Sequence, residues 1–125
     1  MNPSSKEEET SKEVGKRGER WALRYLYSQG FDVLERNYRC RLGEIDLIAW
    51  DGPSLAFLEV KTRSSGEIAP ALEALEEEQK ARIHRAAAYY RKTRKLESCL
   101  YRFDLVAIDI RSDGRPDIRL IRNAF

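Results

Sequence analysis

GEIDLIAWDGPSLAFLEVKTR, residues 43–63, holds two apolar runs, Glu44 to Trp50 and Leu55 to Lys61, separated by Asp51, Gly52, Pro53 and Ser54. Those four residues favour tight turns and interrupt a ladder, so the pattern predicts a β-hairpin. With a loop of two or four residues centred between Gly52 and Pro53, Trp50 opposes Leu55, Asp46 opposes Glu59 and Glu44 opposes Lys61. Side chains alternate along a strand, so Glu44 and Asp46 share one face, and Phe57, Glu59 and Lys61 share the matching face of the partner. Residues directly opposed have Cβ atoms about 5 Å apart. Two carboxylates then meet inside strands that otherwise read as buried.

Such a meeting has two physical resolutions. In one, Asp46, Glu59, Glu44 and Lys61 form cross-strand ion pairs on a solvated sheet face. In the other, a divalent cation, Mg²⁺ or Mn²⁺, lies between Asp46 and Glu59, because Mg²⁺ takes one or two carboxylates, keeps several waters and accepts phosphate oxygens. An ion there would lower the pKa of a water and neutralise charge growing on phosphorus, with Lys61 orienting the water or stabilising that charge. The setting of Glu59 and Lys61 within Phe57-Leu58-Glu59-Val60-Lys61 favours the cation, since charges in a buried strand require a partner.

Outward from the hairpin, Phe31 to Arg36 reads as a short strand and Asn37 to Gly43 as a basic loop carrying Arg39 and Arg41. Before it, Val14, Trp21, Ala22, Tyr25 and Leu26 recur at helical spacing from about Lys12, with Gly30 as the C-terminal cap. After the hairpin, a Ser/Gly loop around Ser64 to Gly66 leads into a second helix from about Ala71 to Lys95, rich in Ala, Leu, Glu, Lys and Arg. Gln79 falls in its inward stripe with Leu72, Leu75, Ile83, Ala86 and Tyr90. Tyr101 to Ile110 and Ile118 to Arg122 read as two further strands joined by a turn at Ser112 to Arg115. The order is α-β-β-β-α-β-β. A strand, a long helix and another strand imply a parallel crossover, so the fold class is α/β with a central mixed sheet flanked by helices.

A chain of 125 residues that is 42% hydrophobic and 35% charged suits one soluble domain. Residues 1–11 are too polar to offset the entropy of ordering and read as a tail, leaving 12–125 as the domain. Net charge is only +2, so any nucleic-acid surface must come from local segregation of charge. Cys40, Cys99 and His84 lack zinc-site spacing, which predicts ordinary reduced thiols. Apolar runs such as Leu47 to Trp50 are far short of the roughly 20 residues a bilayer span needs, and no secretory apolar region opens the chain. A cytoplasmic location without membrane contact is expected.

Gly43 to Ala49, followed by Phe57 to Arg63, resembles the YraN family, small predicted endonucleases related to archaeal Holliday-junction resolvases. The resemblance runs from about Gly15 through Asp109, taking in Gly18 and Glu19, Asn37 to Arg39, and Arg102 to Asp104. It implies a restriction-endonuclease-like fold and a PD-(D/E)xK site in which Asp46 and Glu59 bind metal and Lys61 is catalytic. Ile45 stands in place of the motif's proline, a tolerable departure because the carboxylate is the ligand. Glu19 is implied as a supporting catalytic acid and metal ligand, the other reading being an exposed partner of Arg20 or Arg24. Related nucleases place Gln or Lys where Gln79 stands, although YraN-like sequences more commonly show Lys then Gln where this chain has Gln79 then Lys80. A buried amide bonded to backbone is the competing role for Gln79.

Arg39, Arg41 and Arg63 are candidate phosphate contacts. The cations from Arg82 to Lys95 either face DNA or balance the acidic patch Glu73 to Glu78. The function implied is a metal-dependent endonuclease hydrolysing phosphodiester bonds in DNA, branched or damaged DNA by kinship with resolvases, and a homodimer as in those enzymes. The rivals are a non-catalytic nucleic-acid-binding accessory module that keeps the nuclease fold, and a protein-interaction domain with an ion-paired sheet.

Overall fold

The computed structural model describes residues 10–64 and 75–125. Helix α1, Ser11–Ser28, opens with a capping box: Thr10 Oγ1 accepts from the Glu13 N–H at 3.1 Å while the Glu13 carboxylate accepts from Thr10 N–H. The box satisfies two of the free N–H groups at the helix start. Thr10 and Ser11 therefore belong to the helix and not to the tail read over 1–11. The remainder of that tail lies outside the described residues.

Strand β1, Asp32–Cys40, is longer than the expected Phe31 to Arg36. Asn37, Tyr38 and Arg39 lie in the strand, so the basic loop read over Asn37 to Gly43 shrinks to Arg41 and Leu42. The strand was hidden because its alternation breaks. Val33 packs toward α1, Leu34 lies where the β1 register shifts, and Asn37 takes a left-handed φ of 53°. Beyond Asn37, Tyr38 and its partner Ile45 join the core on the opposite face from Leu47.

Strands β2, Gly43–Asp51, and β3, Ser54–Arg63, form the expected hairpin. Trp50 pairs with Leu55 and the ladder runs from Asp51–Ser54 to Leu47–Leu58. Helix α2 covers Glu77–Thr93. It begins later than Ala71, since Leu75 and Glu76 are non-helical and Glu76 is extended. Glu77 and Glu78 then occupy its first turn, where carboxylates complement the helix dipole. The start of the expected helix and Leu72 lie outside the described residues. Strands β4, Leu100–Ile110, and β5, Pro116–Ile121, complete the chain.

The five-stranded sheet has the order β1-β2-β3-β4-β5, antiparallel except for the parallel β3–β4 pair that the helical crossover requires. Each face carries its own core. Ile48, Leu55, Phe57 and Phe103 pack under Ile83, Ala86, Ala87 and Tyr90 of α2, while Leu47, Ala49, Ala56, Leu58, Val106 and Ile108 pack under Ala22 and Leu26 of α1. Burial on both faces explains why β3 and β4 read as continuous apolar runs. Among the described residues, no helix is long and apolar enough to cross a membrane.

The sheet forks at one end. Past Leu47–Leu58, β2 stays paired with β1 as far as Cys40–Gly43, whereas β3 stays paired with β4 as far as Arg63–Asp109. The two middle strands part at Asp46 and Glu59. At the other end a polar network closes the sheet. Arg102 bonds both carboxylate oxygens of the fully buried Asp104 at 2.9 and 3.0 Å and reaches Asp51 at 2.6 Å. Asn123 N–H donates to Asp104 at 3.1 Å, tying down the C-terminal segment.

Candidate functional site

The fork places one carboxylate on each arm. Asp46 sits where β2 changes face, and in place of a further ladder bond its carboxylate accepts the Val60 N–H at 2.8 Å. Glu59, on β3, is 7% exposed and takes a hydrogen bond from the Gln79 side-chain amide. The Asp46 and Glu59 head groups face each other closely enough to interact as hydrogen-bond partners. Burial first, and the neighbouring Asp46 second, push the Glu59 carboxyl well above the usual carboxylate range, against the opposing pull of Lys61 and Gln79. A proton or a cation must offset two carboxyl groups held this way.

These groups line a cleft of about 730 Å³ between the fork and α2. Lys61 lies in it beside Glu59, two residues further along the same face of β3. Arg39, Arg41 and Arg82 line its rim. Two glycines permit close packing, one on each side of the fork. A Cβ on Gly43 would lie 3.1 Å from the Arg82 carbonyl oxygen, and Gly43 has a φ of 156°, so only glycine lets the β1–β2 turn abut α2 there. A Cβ on Gly18 would lie 1.9 Å from Thr62 Oγ1, so α1 rests directly on β3 behind the site.

The expected site residues divide between two clefts. Asp46, Glu59, Lys61, Gln79, Arg39 and Arg41 share the one under α2. Glu19 and Arg63 line a second, of about 440 Å³, on the α1 side, which shares Asp46 and Val60 with the first. Glu19 does not complete a set with Asp46 and Glu59: among the described residues, no three Asp, Glu, His or Cys side chains converge as a metal-binding group. Arg63 likewise does not join Arg39 and Arg41, and its Nε is buried without a hydrogen-bond partner among the described residues. Glu44 does not oppose Lys61, because the hairpin ladder has already ended; it pairs instead with Arg39 at 3.6 Å, both side chains exposed.

Gln79 does bond a carboxylate in the site and not the backbone. Arg82 is the rim residue that sequence reading left within a general basic strip, and the signal for it was one helical turn of spacing from Gln79. His84 stacks on Phe103 at 3.8 Å, a packing role, and Cys40 and Cys99 are free thiols.

The donor set suits a hard divalent ion. Asp46 and Glu59 are the residues that would hold it, each with one oxygen engaged by a fixed donor, Val60 N–H or the Gln79 amide. Those donors orient the carboxylates as outer partners of a metal site do.

Forked sheet and cleft together define a class of small α/β protein that gathers two carboxylates, an ammonium and an amide at the splayed end of a mixed sheet. Within that class, the chain belongs to the Uncharacterised protein family UPF0102, whose profile matches residues 18–108. It is similar to a UPF0102 protein of Caldicellulosiruptor saccharolyticus, 39% identical over 91% of this chain and 98% of the relative. It is 42% identical to one of Syntrophus aciditrophicus over 90% of this chain and 87% of the relative. To one of Frankia casuarinae it is 43% identical over 90% of this chain and 95% of the relative. The family read from Gly43 to Arg63 is thereby borne out.

Proposed function

We propose that this protein is a divalent-metal-dependent nuclease of restriction-endonuclease-like fold that hydrolyses phosphodiester bonds in DNA. The observation that carries the reading is the meeting of Asp46 and Glu59, from two diverging strands, beside Lys61 in a cleft rimmed by arginines. Cross-strand ion pairing on a solvated face does not account for it, because Glu59 is buried and the side chain that acts on it most strongly is another acid.

A bound Mg²⁺ or Mn²⁺ would supply Lewis-acid polarisation of a phosphoryl oxygen and a water of lowered pKa. The chain's own residues do the remainder. Val60 N–H and Gln79 hold the two carboxylates in place, which limits reorganisation during reaction. Lys61 presents a cation where negative charge grows on the phosphoryl oxygens. Arg39, Arg41 and Arg82 hold flanking phosphates without reading bases. Branched DNA is the substrate class suggested by the resemblance to resolvases, and paired chains would then place two sites on two strands.

The test is nicking of plasmid and four-way-junction DNA by purified protein with Mg²⁺, Mn²⁺ or EDTA, alongside Asp46→Ala and Lys61→Ala. Metal-dependent cleavage is expected in the wild type and at least about 100-fold less in either variant, with melting temperatures retained. Equal cleavage by wild type and variants overturns the assignment. Tight, salt-sensitive binding without turnover under any metal replaces it with an accessory nucleic-acid-binding module.

A further inference from the structure

From Ala81 to Leu96 the chain carries six cations and no acid. Some of these are committed within the fold. Arg91 donates to the Glu97 carbonyl and lies over the Tyr101 ring at 3.7 Å, and Arg94 reaches Glu35 at 3.5 Å. Arg82, Arg85 and Lys92 are exposed and have no ion-pair partner among the described residues. Arg102 and Arg122, at the hairpin end of the sheet, are by contrast matched to carboxylates.

Arg82, Arg85, Tyr89 and Lys92 stand at i, i+3, i+7 and i+10, which is one stripe of an α-helix. The stripe begins in the cleft, since Arg82 lines it. Ten residues of helix rise about 15 Å, and one strand of B-DNA advances about 3.4 Å per nucleotide, so the stripe matches about four nucleotides. Its side chains radiate from a convex helix face, a shape that follows a backbone and does not enclose bases. Sites for single strands combine a basic groove with several aromatic platforms, whereas this stripe has one exposed ring, Tyr89.

We infer that this face of α2 is a docking surface for double-stranded DNA, held through its phosphate backbone and leading it to the cleft. The inference rests on the nuclease reading for its purpose but not for its test. The experiment measures binding of a labelled duplex, and of the matching single strand, to the full chain in EDTA over a range of salt, comparing wild type with R85E/K92E and R85Q/K92Q. Hydrolysis of bis(p-nitrophenyl) phosphate with Mn²⁺ is followed in parallel.

Both variants are expected to bind duplex about tenfold or more weakly, with the slope of log K against log salt reduced by about 2. Their melting temperatures and their turnover of the small diester should match wild type. Absence of duplex binding by wild type, binding unchanged in the variants, or tighter binding of the single strand overturns the surface. Duplex binding that follows the stripe without Mn²⁺-dependent hydrolysis of the small diester supports the surface and overturns the metal-site reading.

Discussion

Glu59 sits between a buried apolar strand and a second acid, and its protonation ties stability to pH. Its folded pKa is raised above the unfolded value by burial and by Asp46. The folded state therefore holds the proton more tightly, a contribution fully present below the unfolded pKa and lost as pH rises through the folded one. Metal-free protein should lose stability toward alkaline pH by up to about 1.4 kcal/mol per pH unit. Asp104, also raised by burial against the Asn123 and Arg102 bonds, adds a slope of the same sign. Glu59→Gln should remove the Glu59 part alone, which melting curves across neutral and alkaline pH will show. A metal needs the ionised carboxylate, so the rise in melting temperature with Mn²⁺ should grow with pH in wild type and vanish in Glu59→Gln. A stabilisation by Mn²⁺ that persists in that variant would refute Glu59 as a ligand. Arg102 serves a different purpose. Arg102→Ala would leave the buried Asp104 without its guanidinium partner, with an expected loss of about 3–5 kcal/mol on denaturant unfolding, and no change in the Mn²⁺ response.

Among the elements, the turn end of the hairpin was legible because two constraints agreed: a turn confined to Gly52 and Pro53, and a side-chain period of two. Its expected register, Trp50 opposite Leu55, is the observed one, and the ladder ends at Leu47–Leu58, one step short of Asp46 and Glu59. The second half of β1 was illegible because Asn37 and Asp46 switch the faces of both strands, and a broken period reads as a loop. The placing of Glu19 and Arg63 in the second cleft was not legible either, since no local pattern announces where two paired strands part. The start of α1 was readable in Thr10-x-x-Glu13, a capping signal that straddles the boundary drawn between tail and domain. Gly18 is the strongest element-level constraint. Gly18→Ala would drive a methyl into Thr62, a branched side chain with little rotamer freedom, and should cost about 1–3 kcal/mol. Gly18→Ala/Thr62→Ala should recover most of that loss. Additive penalties in this double-mutant cycle would show that α1 does not bear on β3 at this point.

For the whole molecule, the buried ion network and the candidate cleft lie at opposite ends of one sheet. The hairpin end is closed by Arg102, Asp104, Asp51 and Arg122 around the C-terminal segment. At the forked end the central ladder has stopped, and Val60 N–H depends on the Asp46 carboxylate for its partner. Two neighbouring acids weaken the forked end, a cost that the network at the far end leaves the fold able to carry. Amide exchange should resolve this division residue by residue. Without metal, the amides of Leu55 to Leu58 should exchange only with global unfolding, while Val60 exchanges by local opening of the fork. Mg²⁺ or Mn²⁺ should slow Val60 and its neighbours from Glu59 to Lys61 by about tenfold or more and leave the hairpin end unchanged beyond the global gain. In Asp46→Asn that local protection should be absent, because the ligand that joins the two arms of the fork has gone. Uniform slowing across the sheet, or none, would mean that no ion draws the arms together, and the cleft would then be a buried acid pair held by a shared proton alone.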